Sequence, residues 1–133
     1  MSLTPTDAEE IVLQWFTAFN ARDLDGMLAN MHALVDFRPL HLHGLASSYG
    51  GHDGVRAWFS DLERLGHRHQ IEIAEIRASS DGQLIAVGTL SAADPAGPSS
   101  FWGLERFAGD TIAAAYHYVT EPDILRESGL LRP

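Results

Sequence analysis

Apolar residues in the first part of the chain recur at helical spacing. Ile11, Val12, Trp15, Phe16 and Phe19 fall on one stripe, the repeat of a helix that buries a single face. Thr6-Asp7-Ala8-Glu9 has capping-box form with Pro5 just before it, so a helix is expected to start there, Thr6 accepting from first-turn amides and Glu9 reaching back. Asn20-Ala21-Arg22-Asp23 interrupts the stripe, and Asp23 can cap a second, shorter helix carrying Leu24, Met27, Leu28 and Met31. A third stripe of Val55, Trp58, Phe59, Leu62 and Leu65 predicts a helix over residues 53–65, with Gly66 as its C-terminal stop.

Between the helices, residues 34–38 read as a short strand ended by Pro39, and the glycine-bearing stretch 40–51 reads as a loop. From Arg68 the period changes to two. Residues 70–77, 83–92, 100–107 and 111–120 are strand-like, separated by turn chemistry such as Ser80-Asp81-Gly82 and Ala108-Gly109-Asp110. Strands joined this way form an antiparallel meander. Ile71 and Ile73 share a phase that Ile76 breaks, which predicts a β-bulge near Ala74-Glu75 and a bent sheet with a concave face. Pro122 can open a short C-terminal helix reaching Gly129.

Size and charge narrow the functions. A chain of 133 residues is expected to form one domain. Eighteen acidic against nine basic residues give a formal charge of −9, which repels phosphate backbones and anionic membranes, so neither nucleic acid nor membrane is an expected partner. There is no cysteine, hence no disulfide and no thiolate metal site. With neither a signal-like N-terminus nor a long apolar run, the expected location is the cytoplasm.

The stretch Tyr49-Gly50-Gly51-His52-Asp53-Gly54-Val55-Arg56-Ala57-Trp58-Phe59 resembles the signature Y-x-G-h-(D/E)-G-v-r-x-(W/F)-(F/L) of SnoaL-like proteins, a branch of the nuclear transport factor two-like superfamily. Phe16 to Leu28 is similar to an opening common in that superfamily, F-x-A-x-N-A-R-D-L-D-G-M-L. The resemblance implies an α+β, cone-shaped, cystatin-like fold: a bent, mostly antiparallel sheet with helices on its concave face and a ligand pocket at the open end. It also implies a homodimer through the convex sheet face, where Ala113, Ala115 and Val119 would alternate. Polyketide cyclases, ketosteroid isomerases, dehydratases, epoxide hydrolases and non-catalytic binders all share this fold, so the family does not name the reaction.

Counted from the turn Ala108-Gly109-Asp110, the last strand puts Ala114, Tyr116, Tyr118 and Thr120 on one face and Ala113, Ala115, His117 and Val119 on the other. The resemblance places the first set inside. Thr120 stands where many relatives carry the acid of a Y-x-D motif. Asp36, in Val35-Asp36-Phe37-Arg38-Pro39, points away from the interior if Val35 and Phe37 face it, so the isomerase-type carboxylate is not in place. Arg38 before proline resembles a W-R-P variant of uncharacterised members.

The pocket is therefore expected to be walled by Trp15, Phe19, Phe37, Tyr49, Trp58 and Tyr118, with Arg38 near its rim. Its catalytic candidates are Glu105, a carboxylate on a face shared with Phe101 and Phe107; Tyr116, a hydrogen-bond donor to a ligand oxygen; and His41 and His43, in the loop beside the pocket. Paired histidines at His41/His43 and His67/His69 have a metal-binding spacing but no evident third ligand. No metal and no cofactor is expected. His67 and His69 are expected in solvent, His32 as a cap or packing residue, and His52 at the start of the third helix. Three readings stay open: an acid–base enzyme of cyclase, isomerase or hydrolase kind acting on a small hydrophobic ligand; a non-catalytic binder or accessory dimer whose pocket holds a ligand or is filled by side chains; and a metal-dependent function that rests on the histidine pairs alone.

Overall fold

The computed structural model describes residues 4–40, 42, 44–78, 83–91 and 99–119. Within them the chain runs α1 (Pro5–Asn20), α2 (Leu24–Ala29), β1 (Met31–Arg38), β2 (Tyr49–Gly50), α3 (Gly51–Leu65), β3 (Gln70–Ala78), β4 (Leu84–Ser91), β5 (Ser99–Ala108) and β6 (Thr111–Tyr118). The strands form one six-stranded sheet in the order β2-β1-β6-β5-β4-β3. Every pairing is antiparallel except β1 with β6. The expected meander β3–β6 is present, and the α+β class follows. No described helix is long and apolar enough to cross a membrane. The expected C-terminal helix over 122–129 lies outside the described residues.

Helix α1 starts two residues earlier than the capping box suggests. Thr4, not Thr6, is the N-cap, its Oγ1 accepting from the Asp7 amide at 3.1 Å, and Pro5 opens the helix. Proline's missing N–H costs nothing at that position and its fixed φ is already helical, which settles the competition between the two threonines. At the other end the Asn20–Asp23 run acts as a staple. The Asn20 side chain takes both backbone groups of Ile71, donating to its carbonyl at 2.7 Å and accepting from its amide at 2.9 Å. It thereby imitates a neighbouring strand on the sheet's edge strand β3. Arg22, with φ 57°, donates to the Phe19 and His69 carbonyls at 2.9 and 2.8 Å. Asp23 caps α2 through the Gly26 amide at 3.1 Å, and a Cβ on Gly26 would stand 2.5 Å from the Asp23 carboxylate.

The bulge predicted in β3 is found between Ile73 and Glu75. Gly88 lies opposite it, where a Cβ would collide with the Glu72 carbonyl oxygen at 1.9 Å. A second bulge was not foreseen. Phe107 pairs with Ile112 but Arg106 with Ala114, so Ala113 is an extra residue in β6. The side-chain alternation of the strand therefore reverses after it. Ala115 and His117 face the helices, whereas Tyr116, and with it Tyr118, stand on the other face, opposite to the expectation. Three successive alanines make the slip inexpensive, because none of them carries enough apolar area to hold the phase. The convex face thus loses Ala115 from its expected small-residue surface and presents Ile85 and Leu104 with Val87, Trp102 and Tyr116 packed around them. In β1, Val35 and Phe37 are fully buried and Asp36 and Arg38 point outward, as their alternation predicts.

Candidate functional site

Most of the family-like motif Tyr49–Phe59 builds scaffold. Gly51 has φ 69°, and a Cβ there would press on the Ala33 carbonyl at 3.0 Å. Gly54 lets the first turn of α3 lie against β2, since its Cβ would come within 2.8 Å of the Tyr49 carbonyl carbon. His52 Nε2 lies 2.9 Å from the Met31 carbonyl, to which it donates, fixing the start of α3 on β1 as expected. Tyr49 is occupied too, its hydroxyl accepting from the Ala46 amide and donating to Asp61, each at 3.0 Å. What the motif sends inward is Val55 and Trp58.

Trp58 joins an aromatic cluster with Trp15, Phe19 and Phe37. Trp15 stacks on Phe19 at 5.7 Å and 4°, and Trp58 meets Phe37 edge-on at 4.7 Å. Such pairs add to the stabilisation from burial alone. These rings do not surround a large void. The interior cavity measures about 10 Å³ and is bounded by Trp15, Phe19, Trp58, His69 and His117, with Leu40, Leu42 and Leu45 from the 39–45 segment among the remaining walls. That is room for a single water-sized atom. A larger depression of about 490 Å³ lies outside α1 and α2, but Asp23 and Asn30 in its wall are committed to the backbone of Gly26. The interior cavity has the chemistry.

His117 in its wall is paired with a buried carboxyl, Glu105. Glu105 is 1% exposed and His117 7% exposed, with His117 Nε2 and Glu105 Oε1 3.6 Å apart. They sit on neighbouring strands, Gly103 opposite His117. The bare Gly103 makes the approach possible, because a Cβ would lie 3.3 Å from Glu105 Oε1 and 3.2 Å from the Phe101 ring. Four aromatic rings, Trp15, Phe16, Phe37 and Phe101, surround the imidazole at 5.1–5.7 Å. Among the described residues, three buried side-chain polar atoms have no hydrogen-bond partner: Glu105 Oε2, His117 Nε2 and the indole Nε1 of Trp15. Burial pushes the Glu105 carboxyl above its ordinary range, with His117 opposing in part.

His69 corrects another expectation, for it is 6% exposed, its ring 5.2 Å from Phe19. Burial, then the charge of Arg22, then His67 and His117, lower its pKa to about 4. The folded protein thus keeps this imidazole neutral over a range where the unfolded chain, titrating near 6.5, takes a proton. The unfolded state binds more protons in that window, so stability falls as pH drops from about 6.5 towards 4, by roughly 3 kcal/mol at its foot. Denaturant unfolding of wild type and His69→Phe at pH 7 and pH 4.5 should show the larger acid loss in wild type. Equal losses would mean that His69 is not held neutral.

The remaining candidates separate. Tyr116 donates to Asp36 Oδ2 at 2.7 Å on the outer face, and Arg38 pairs with the same carboxylate at 3.1 Å while lying 4.5 Å over the Tyr116 ring. The tyrosine hydroxyl and Arg38 hold the Asp36 carboxyl below its usual range. Glu105 is therefore the one catalytic candidate that the described structure places in the interior, next to His117 in the cavity wall. His41 and His43 lie outside the described residues, and among the described residues no group of three His, Asp or Glu could hold a metal. His117 and His69 were missed. Signals for both existed: His69 shares the two-residue phase of Ile71 and Ile73, and an inward Glu105 demands a polar partner on the adjacent strand.

The fold is that of a known class of protein. The SnoaL-like domain family matches residues 12–120, and the chain belongs to that family. No curated protein matches it. Among solved structures, a nuclear transport factor two-like protein of unknown function from Burkholderia pseudomallei is similar at 21% identity and TM-score 0.74, covering 96% of this chain and 98% of that one. TerC, co-crystallised with polyporic acid, is similar at 17% identity and TM-score 0.74, over 93% and 97% of the two chains. A protein described as a candidate polyketide cyclase from Sinorhizobium meliloti is similar at 15% identity and TM-score 0.67, over 82% and 94%. These likenesses establish the cone-shaped, cystatin-like fold.

Proposed function

We propose that the protein is a small-molecule-pocket enzyme that moves a proton on a hydrophobic, ring-bearing metabolite by general acid–base catalysis, with Glu105 as the proton-transferring group and His117 as its partner. The observation that carries this reading is the pair itself: a carboxyl and an imidazole 3.6 Å apart, in an aromatic cage, with one polar atom of each left unpartnered. A buried carboxyl in that state costs stability. Its raised pKa also brings it towards the operating pH, where an acid–base group is most effective. The likeness to TerC with polyporic acid and to the candidate polyketide cyclase supports a ligand of this kind.

The second reading is a non-catalytic binder or accessory protein, favoured by the smallness of the cavity, about 10 Å³. Deuterium uptake distinguishes the two. Aromatic and enone ketones are incubated with protein in heavy water, and exchange α to the carbonyl is followed by NMR. Wild type should accelerate exchange for at least one of them, and Glu105→Gln should lose about 10²-fold or more of that rate. Binding without exchange across the set would favour the binder.

A further inference from the structure

All nine basic residues of the chain are arginines, set against eighteen acids. Seven of them lie among the described residues, and of these Arg38, Arg56, Arg64 and Arg77 each hold a carboxylate in an ion pair. Arg22, Arg68 and Arg106 hold none among the described residues. With two acids for every base, an arginine without a carboxylate is the exception, and two of the three line one cleft. That cleft measures about 240 Å³ and is walled by Arg22, His67 and Arg68 together with Leu62 and Glu63. It lies where the end of α3 meets the start of β3 and shares no wall residue with the interior cavity.

Arg22 is held in place before any ligand arrives. Its guanidinium donates to the carbonyls of His69 at 2.8 Å, Phe19 at 2.9 Å and His67 at 3.4 Å, and lies 4.4 Å over the Phe19 ring. Its Nε–H has no acceptor among the described residues. A guanidinium fixed in this way has little freedom left to lose on binding. Arg68 is exposed, and its charge opposes that of Arg22 while Glu63 favours it. Glu63 nevertheless closes on neither arginine, although all three line the cleft. We propose that the cleft binds a small organic monocarboxylate, its carboxylate taken between Arg22 and Arg68 and its apolar end lying against Leu62. The lining accommodates a single charge. Two guanidiniums stand against Glu63 and against the partly negative end of α3, whose Glu63 and Leu62 carbonyls already accept from the Gly66 and His67 amides. That leaves no surplus for a second negative charge. The volume is that of about eight waters, room for a ligand of a few carbons. The site stands apart from the Glu105–His117 pair and does not depend on the acid–base reading.

The test uses isobutyrate and isobutyramide, which share their shape and differ in charge. Each is titrated into nitrogen-15-labelled full-length protein at neutral pH and constant ionic strength. Isobutyrate should move the backbone amide signals of residues 66–70 and the Arg22 Nε–H signal saturably, the latter assigned by its loss in Arg22→Lys. It should bind about tenfold more tightly than the amide, the worth of a charge-assisted hydrogen bond at a site open to solvent. Arg68→Gln should weaken isobutyrate about threefold and Glu63→Gln strengthen it by a similar factor, both side chains being exposed and screened. Arg106→Gln removes the same charge from beside Tyr116, away from the cleft, and should change nothing. If Arg22→Lys does not fold, the amides of residues 66–70 and the other three variants decide alone. No saturation by about 100 mM, equal binding of the amide, or equal effects of Arg68→Gln and Arg106→Gln would each overturn the proposal. Tighter binding of sulfate than of isobutyrate would overturn the assignment of a singly charged carboxylate.

Discussion

A Glu105→Met variant is expected to unfold at a higher urea concentration than the wild type, with an unchanged slope, and to gain about 1–4 kcal/mol. Glu105 is 1% exposed, one of its oxygens lacks a hydrogen-bond partner among the described residues, and the His117 imidazole stands 3.6 Å away. Desolvating such a pair takes back most of what their attraction supplies, whereas an unbranched thioether of similar length fills the same volume and needs no partner. The test bears on function as well as stability. A carboxyl kept at a stability cost, and lost without structural penalty, behaves as a functional group does when stability and activity pull apart. A loss of more than about 1 kcal/mol in Glu105→Met would identify the carboxyl as part of the structural framework and weaken the acid–base reading.

The helices and the meander were legible because large apolar side chains mark them. Trp15, Phe16 and Phe19 leave α1 one possible inner face, and Val55, Trp58 and Leu62 do the same for α3. Even the bulge at Ala74 could be read, since Ile71, Ile73 and Ile76 record the change of phase. Where such markers were missing, the inference failed. Ala113, Ala114 and Ala115 carry no phase, and the bulge among them turned Tyr116 outward and His117 inward. Trp15, Phe19, Phe37 and Trp58, expected as pocket walls, are core residues, of which Trp15, Phe19 and Trp58 border the small cavity, while Arg38 and Tyr49 are engaged elsewhere. Pairings across strands, such as Glu105 with His117, depend on register, and a one-residue slip in register exchanges the two faces of a strand.

Phe37→Ala is expected to cost about 3–5 kcal/mol of folding stability, the largest loss foreseen for a single substitution in this chain. The ring is 0% exposed and stands within the aromatic cluster, 4.7 Å from Trp58, 5.5 Å from His117 and 5.8 Å from Trp15. It rises from β1, whose neighbours β2 and β6 hold it by backbone pairing on both sides. The backbone therefore cannot collapse readily into the space left by the ring, and the cavity term adds to the lost transfer energy. Leu34 on the same strand provides the control. It is 81% exposed, and its replacement by alanine should change stability by no more than about 0.5 kcal/mol. Chemical unfolding of the two variants beside wild type measures both numbers at once. A Phe37→Ala loss as small as that of Leu34→Ala would mean that the aromatic cluster is loosely packed, and a cluster that yields so easily could not hold His117 in a fixed position beside Glu105.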